Sequence, residues 1–261
     1  MKSLKVNNYE ALTKYVYENL SWGPLYRKKD GTKLRNTDNN SSDYIKYSLK
    51  KMNIKIAELK NKKVFNIGTG RESRFFANKG AIVTHVDISK ENVLSLNKWS
   101  KKHNKKVESI AGNIENIEIG ENKFDIIFLA GIYQHLEKPS NCLFKFIKSL
   151  KPKGKMYMGF YRSGEYKYFI VDAIRYILNI KENIKQIKQI SSKIKIINSI
   201  IYSLGNIKDY QTSRVLDDFF VPKKHNFHPH DIIHDVKLVG GEIYHFDNDF
   251  RNYDHKTKKY F

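Results

Sequence analysis

The sequence predicts an α/β fold: a doubly wound, mostly parallel sheet with helices ahead of it and a helical insertion after its fifth strand. Two observations carry the prediction. The apolar run Lys63-Val64-Phe65-Asn66-Ile67 breaks at Gly68-Thr69-Gly70, and a second run, Val83-Thr84-His85-Val86, ends on Asp87, 19 positions after Gly68. Further on, apolar runs keep alternating with helical patterns, which implies parallel strands joined by crossover helices. Two glycines let the backbone turn tightly and approach a ligand. An acid at the tip of the next strand can accept the hydroxyls of a ribose. The expectation is a nucleoside-cofactor site at the carboxyl ends of the strands.

The elements read as follows. Tyr9, Leu12, Val16 and Leu20 recur at helical spacing, and a loop with Trp22, Pro24 and Asp30-Gly31 follows. Ser41-Ser42-Asp43 can cap a second helix with the stripe Ile45, Leu49, Met52, Ile56 and Leu59. The core then runs strand at Val64, helix at Glu72, strand at Ile82, helix at Glu91, strand near Val107, strand at Phe124, helix at Ser140 and strand at Lys155. The boundaries expected are an N-terminal helical cap over 1–58, a cofactor-binding core over 59–162, an insertion over 163–226 and a tail returning to the core over 227–261.

Within the insertion, Ile180, Ile184, Ile187, Ile190, Ile194, Ile197, Ile201 and Leu204 step by threes and fours, with lysines beside them. A stripe this apolar needs covering. Packing as a lid or in a homodimer is favoured over lying on a membrane, since no aromatic anchors mark the stripe.

The formal charge of +21 suggests a polyanion partner, but it comes from 40 lysines against 8 arginines. Base and phosphate readers favour the planar fork of arginine. Abundant Lys, Asn and Ile is what an AT-rich genome encodes whatever the protein does. The lysine clusters, including residues 101–106, are read as solvated faces. No run of eighteen apolar residues exists, residues 1–9 lack the pattern of a signal peptide, and Cys142 is alone. The expectation is a cytoplasmic protein with no transmembrane segment and no disulfide framework.

A nicotinamide reading of the first motif wants a third glycine where Ser73 stands. The later motifs give another answer. Residues 124–139, FDIIFLAGIYQHLEKP, read as a buried strand running into a loop and a helix start, and residues 149–158, SLKPKGKMYM, as a helix end, a turn and a strand. Together these motifs resemble the class I S-adenosylmethionine-dependent methyltransferases, a Rossmann-like family, in the branch acting mostly on small molecules. That family reads roughly D-x-G-x-G-x-G, an acid after the second strand, FD with H-L-x-x-P, and L-K-P-G-G. The resemblance covers residues 59–162 and the tail from Phe227, which looks like the family's last helix and sixth strand (240–244), with a short seventh at 258–261. Two departures stand out: the family's first acid is Asn66 here, and its third glycine is Glu72.

The resemblance implies S-adenosyl-L-methionine as cofactor. Asn66 takes the place of the acid that helps orient the methionine end. Gly68, Thr69 and Gly70 should line the methionine moiety, Asp87 the ribose, and Ile88 the adenine. Asn113, with Ile114 next to it, stands where the family usually places an acid for the adenine amino group. Ala130 should approach the sulfonium. His135, just past the fourth strand, is the candidate base, since a hydroxyl acceptor must lose its proton. The absence of the N/D-P-P-Y/F signature argues against DNA adenine or cytosine N-methylation, and the resemblance implies a small or sugar-like acceptor rather than nucleic acid. Tyr133, Tyr161, Arg162, Asp218, His225 and His228 are its candidate contacts. The string His225, His228, His230 and His234 is read as acceptor-binding, with no metal expected. An RNA methyltransferase, suggested by the charge, and a non-catalytic cofactor-binding module, suggested by Asn66 and Glu72, are the alternatives.

Overall fold

The central sheet has five strands, all parallel, in the order β3-β2-β1-β4-β5. This is a computed structural model, and it describes residues 9–19, 38–164, 166–177, 219, 221, 225–243, 245–246, 253–254 and 259–260. Two helices precede the sheet, α1 (Tyr9–Asn19) and α2 (Asp38–Lys51). The sheet and its crossovers then follow in turn: β1 (Lys63–Ile67), α3 (Arg71–Asn78), β2 (Ile82–Asp87), α4 (Lys90–Lys102), β3 (Val107–Ala111), β4 (Phe124–Ala130), α5 (Pro139–Ser149) and β5 (Leu150–Gly159). Beyond them lie α6 (Tyr166–Ile177), α7 (Pro229–Leu238), β6 (Tyr253–Asp254) and β7 (Lys259–Tyr260).

The alternation of side chains along β1 and β4 explains the two helical layers, since successive residues face opposite sides of a sheet. Phe65, Ile67, Ile127 and Leu129 are buried with Leu143 and Phe146 of α5 and Ile232 and Val236 of α7. Val64, Ile126 and Phe128 are buried with Ile45 and Leu49 of α2 and Phe76 of α3. Strands covered on both faces read as continuous apolar runs, which is why these were visible in the sequence.

Three expectations need correction. The helix expected to start at Ser41-Ser42-Asp43 starts at Asp38, where Asp38-Asn39-Asn40 already supplies the residue types that begin helices. The turn expected before the fifth strand lies inside it: β5 begins directly where α5 ends, and the ladder jumps from Phe124–Leu150 to Ile126–Lys155. The sixth strand expected at 240–244 does not form over residues 241–243. Instead, the Gly240 and Gly241 amides cap α7 by donating to the Lys237 and Val236 carbonyls at 3.0 and 2.9 Å, and Ile243 packs onto the core beside α5 and α7. The two C-terminal strands pair antiparallel with each other and are not part of the main sheet. The isoleucine stripe from Ile180 to Leu204 lies outside the described residues, as does Asp218.

The strand order reverses between β1 and β4. In an open α/β sheet, the crevice beyond the carboxyl ends at such a switch point is where ligands bind.

Candidate functional site

A cavity of about 1070 Å³ opens at that switch point and touches the residues just past four strand ends. Gly68 and Thr69 follow β1, Ile88 follows β2, Asn113 and Ile114 follow β3, and Gly131, Ile132, Gln134 and His135 follow β4. Gly68 has φ 131° and Gly70 φ 85°, a region that a side chain with a Cβ rarely adopts. The chain therefore turns from β1 into α3 within three residues, and Gly68 and Thr69 stand on the cavity wall. Gly70 is buried beneath, at the N-cap of α3.

Asp87 lines the cavity with its carboxylate fixed from behind. Oδ1 accepts from the Ser89 amide at 2.6 Å and Oδ2 from Asn92 Nδ2 at 3.0 Å. A carboxylate held in this way at a strand end is the kind of group that accepts from the hydroxyls of a ribose. Asn113 caps the short turn after β3, its Oδ1 accepting from the Glu115 amide at 3.0 Å. Its Nδ2 donates to Glu10 Oε2 of α1 at 3.4 Å. Ile114 is buried, and Ala130 reaches the cavity from the end of β4.

Helix α1 closes one side of this space. Glu10 takes Asn113 and Asn116, Glu18 accepts from the Lys90 amide at 3.2 Å, and the Tyr9 hydroxyl donates to the His135 carbonyl. Tyr9, Thr13 and Tyr17 thereby become cavity wall. Of these, the helical spacing in the sequence singled out only Tyr9, and only as part of a helix face.

His135 stands in the short turn after β4, 5% exposed and on the cavity wall. Its Nε2 lies 3.3 Å from Gln134 Nε2, an amide nitrogen that also donates to the Gly131 carbonyl at 2.7 Å. The Tyr161 ring meets the His135 ring edge-on at 5.8 Å and stacks on Tyr168 at 4.6 Å. Tyr161 and the exposed Arg162 both line the cavity.

Three candidate acceptor contacts are placed elsewhere. Tyr133 is fully buried, its ring 4.9 Å from that of Phe227, because the turn after β4 points it into the core. His225 clamps that turn from outside: its amide donates to the Gln134 carbonyl at 2.8 Å, and its Nε2 lies 3.0 Å from the Leu136 carbonyl. His228 is exposed at the N-cap of α7, with Nε2 3.2 Å from Ser163 Oγ. Among the described residues no group of three or more His, Cys, Asp or Glu side chains could hold a metal ion. Nor is any of their helices long and apolar enough to cross a membrane.

Asn66 is also off the cavity wall, fully buried under the loop. Its Nδ2 donates to the Phe128 carbonyl at 2.8 Å, and its Oδ1 accepts from Ser73 Oγ at 2.7 Å. Because the Ser73 proton is committed to Asn66, His85 Nδ1, 3.0 Å from Ser73 Oγ, is the donor in that pair. The chain His85 to Ser73 to Asn66 to the Phe128 carbonyl is thus directional and uncharged. Burial pushes the His85 imidazole down to about 4, and its Nε2 has no partner among the described residues. A bare lone pair there is cheaper to bury than a second N–H.

Glu72 was unexpected. Its buried carboxylate lines the cavity beside Arg71 and Tyr44. Arg71 Nε and Nη2 donate to Glu72 Oε1 at 3.2 and 2.9 Å, and the Tyr44 hydroxyl of α2 donates to the same oxygen. Burial works against the charged carboxyl, but Arg71 and the Tyr44 hydrogen bond outweigh it and hold Glu72 below the usual range. Nothing local announces a contact that joins positions 28 residues apart.

The fold and this cavity define an α/β domain with a ligand-sized cavity at its topological switch point. Residues 65–158 match the family model described as a methyltransferase domain. The mitochondrial ubiquinone biosynthesis O-methyltransferase of Schizosaccharomyces pombe is 31% identical over 104 residues, 36% of this chain and 36% of that protein. Among solved structures, PKMT2 from Rickettsia typhi aligns with a TM-score of 0.55 at 21% identity, over 69% of this chain and 39% of that one. The YcgJ protein from Bacillus subtilis aligns with a TM-score of 0.42 at 21% identity, over 49% of this chain and 58% of that one. The chain thus spans about a third of the curated relative's length. The similarity to a methyltransferase domain is carried by residues 65–158, the segment from β1 to β5.

Proposed function

We propose that the chain is an S-adenosylmethionine-dependent methyltransferase acting on an oxygen or nitrogen atom of a small or sugar-like acceptor. One observation carries this reading: a single cavity runs from the Gly68 turn and the pinned Asp87 carboxylate to His135, Tyr161 and Arg162. A nucleoside end and an acceptor end therefore share one cavity. The residues present fit the cofactor, since Gly68 leaves the loop backbone bare and the fixed Asp87 carboxylate lines the same cavity, a group suited to a diol. When bound, the cofactor supplies a methyl group on a sulfonium, an already activated electrophile.

The protein's own part is then to align the acceptor and keep water out. Tyr9, Tyr17 and Tyr161 wall the acceptor end and α1 closes it. His135, on the cavity wall in the turn after β4, is the residue assigned to take the proton of a hydroxyl acceptor. The name of the S. pombe relative, an O-methyltransferase, supports oxygen as the receiving atom.

The test is methyl transfer from labelled S-adenosylmethionine into a cell extract treated with the purified protein. Label is expected in the low-molecular-weight fraction, and His135→Ala should lower it by about 100-fold while leaving cofactor affinity within twofold. Label confined to nuclease-sensitive RNA would overturn the acceptor class.

A further inference from the structure

Arg71 and Glu72 present adjacent opposite charges on the cavity wall, immediately after the Gly68-Thr69-Gly70 turn. The Glu72 side chain is 7% exposed and that of Arg71 26%. Three donors converge on Oε1 of Glu72, two from Arg71 and one from Tyr44, and none of them engages Oε2. The Arg71 guanidinium also lies 5.4 Å from the centre of the Tyr44 ring. Helix α2 contributes one further cation to this wall, Lys51, whose Nζ lies 5.3 Å from the Tyr47 ring centre.

A buried ion pair is weak evidence for stability, because desolvation offsets much of the attraction. A charged pair kept desolvated on a cavity wall is better explained by a ligand that needs both signs. The amino-acid end of S-adenosylmethionine carries an ammonium and a carboxylate on one carbon. At Asn66, where the family has its acid, this chain carries a buried amide already engaged on both sides. No charge is therefore available from that position.

We propose that the Arg71–Glu72 pair, braced by Tyr44, is the receptor for the zwitterionic amino-acid end of the cofactor. The anionic group of this site has moved from β1 to the first turn of α3. Glu72 takes the ammonium and Arg71 the carboxylate. Because Tyr44 belongs to α2, the N-terminal helices are tied to cofactor recognition as well as to acceptor enclosure. This assignment rests on the cofactor reading above and adds the residues that distinguish a full cofactor from a bare nucleoside.

The experiment compares two probes on the full chain by calorimetric titration: S-adenosylhomocysteine, and 5′-methylthioadenosine, which lacks the amino-acid end. Glu72→Gln and Arg71→Gln are each expected to weaken S-adenosylhomocysteine by about tenfold or more, the scale of a lost charge-assisted hydrogen bond. Neither should move the affinity for 5′-methylthioadenosine beyond twofold. Arg71→Lys keeps the charge without the fork and should fall between wild type and Arg71→Gln. Should Glu72→Gln fail to fold, the two Arg71 variants carry the comparison, since that side chain is the more exposed. Equal weakening of both probes, or no weakening of either, overturns the assignment. If neither probe binds the wild type, it is the cofactor reading that falls.

Discussion

Ser73 Oγ donates to Asn66 Oδ1 at 2.7 Å, joining the first turn of α3 to the middle of β1 beneath the glycine turn. With His85 behind Ser73 and the Phe128 carbonyl beyond Asn66, this contact closes a buried chain that has one direction and no charge. The amide at position 66 is required by that chain, because only an amide both accepts from Ser73 and donates to Phe128. The departure that suggested a lost activity is therefore a feature of how this loop is supported.

Replacing Asn66 with Asp tests this directly. The carboxylate cannot donate to the Phe128 carbonyl, and it places a charge among groups that offer no cation. The expected loss is about 3 kcal/mol of folding stability, read by urea denaturation at neutral pH. Stability equal to wild type would show that the amide donor has no role.

His85 makes stability pH-dependent in a definite direction. Burial, with the Arg74 charge adding to it, lowers the imidazole to about 4, although Glu72 pulls the other way. The unfolded chain titrates near 6.5. Between these values the unfolded state binds a proton that the folded state refuses, so stability falls as pH drops through this window and is level above it. The contribution is about 3 kcal/mol between pH 6.5 and 4. His85→Gln should remove that part of the slope. Parallel curves for wild type and variant would contradict it.

Tyr44 braces Glu72 across two helices. Tyr44→Phe keeps the ring against Phe128, 6.1 Å away, and deletes only the hydroxyl. The expected loss is about 2 kcal/mol, the scale of a hydrogen bond to a buried charge, seen as a lower thermal midpoint. An unchanged midpoint would mean that Arg71 alone holds the carboxylate.

Much of this was legible in the sequence, for physical reasons that also mark where legibility stops. The runs at Val64, Val83, Phe124 and Lys155 announced the strands of the sheet, and Gly68 and Asp87 marked the edge where the cavity opens. Local spacing does not show which way a side chain turns. Tyr133 and His135 sit in one turn, and one is sealed in the core while the other lines the cavity. His225 looked like a pocket residue and instead pins the turn that holds His135. Nor does spacing reveal partners far apart in the chain. The Tyr44–Glu72 contact, and the seat of α1 through Glu10 and Tyr9, depend on tertiary packing alone.

The central claim, that this cavity holds S-adenosylmethionine through the Gly68 turn and Asp87, is tested most directly by calorimetric titration of the full chain with S-adenosylhomocysteine. Asp87 is fixed by Ser89 and Asn92 and lines the cavity. The account predicts one-site binding by the wild type that Asp87→Ala abolishes while the fold, read by circular dichroism, is retained. Absence of binding by the wild type, or undiminished binding by a folded Asp87→Ala, would contradict it.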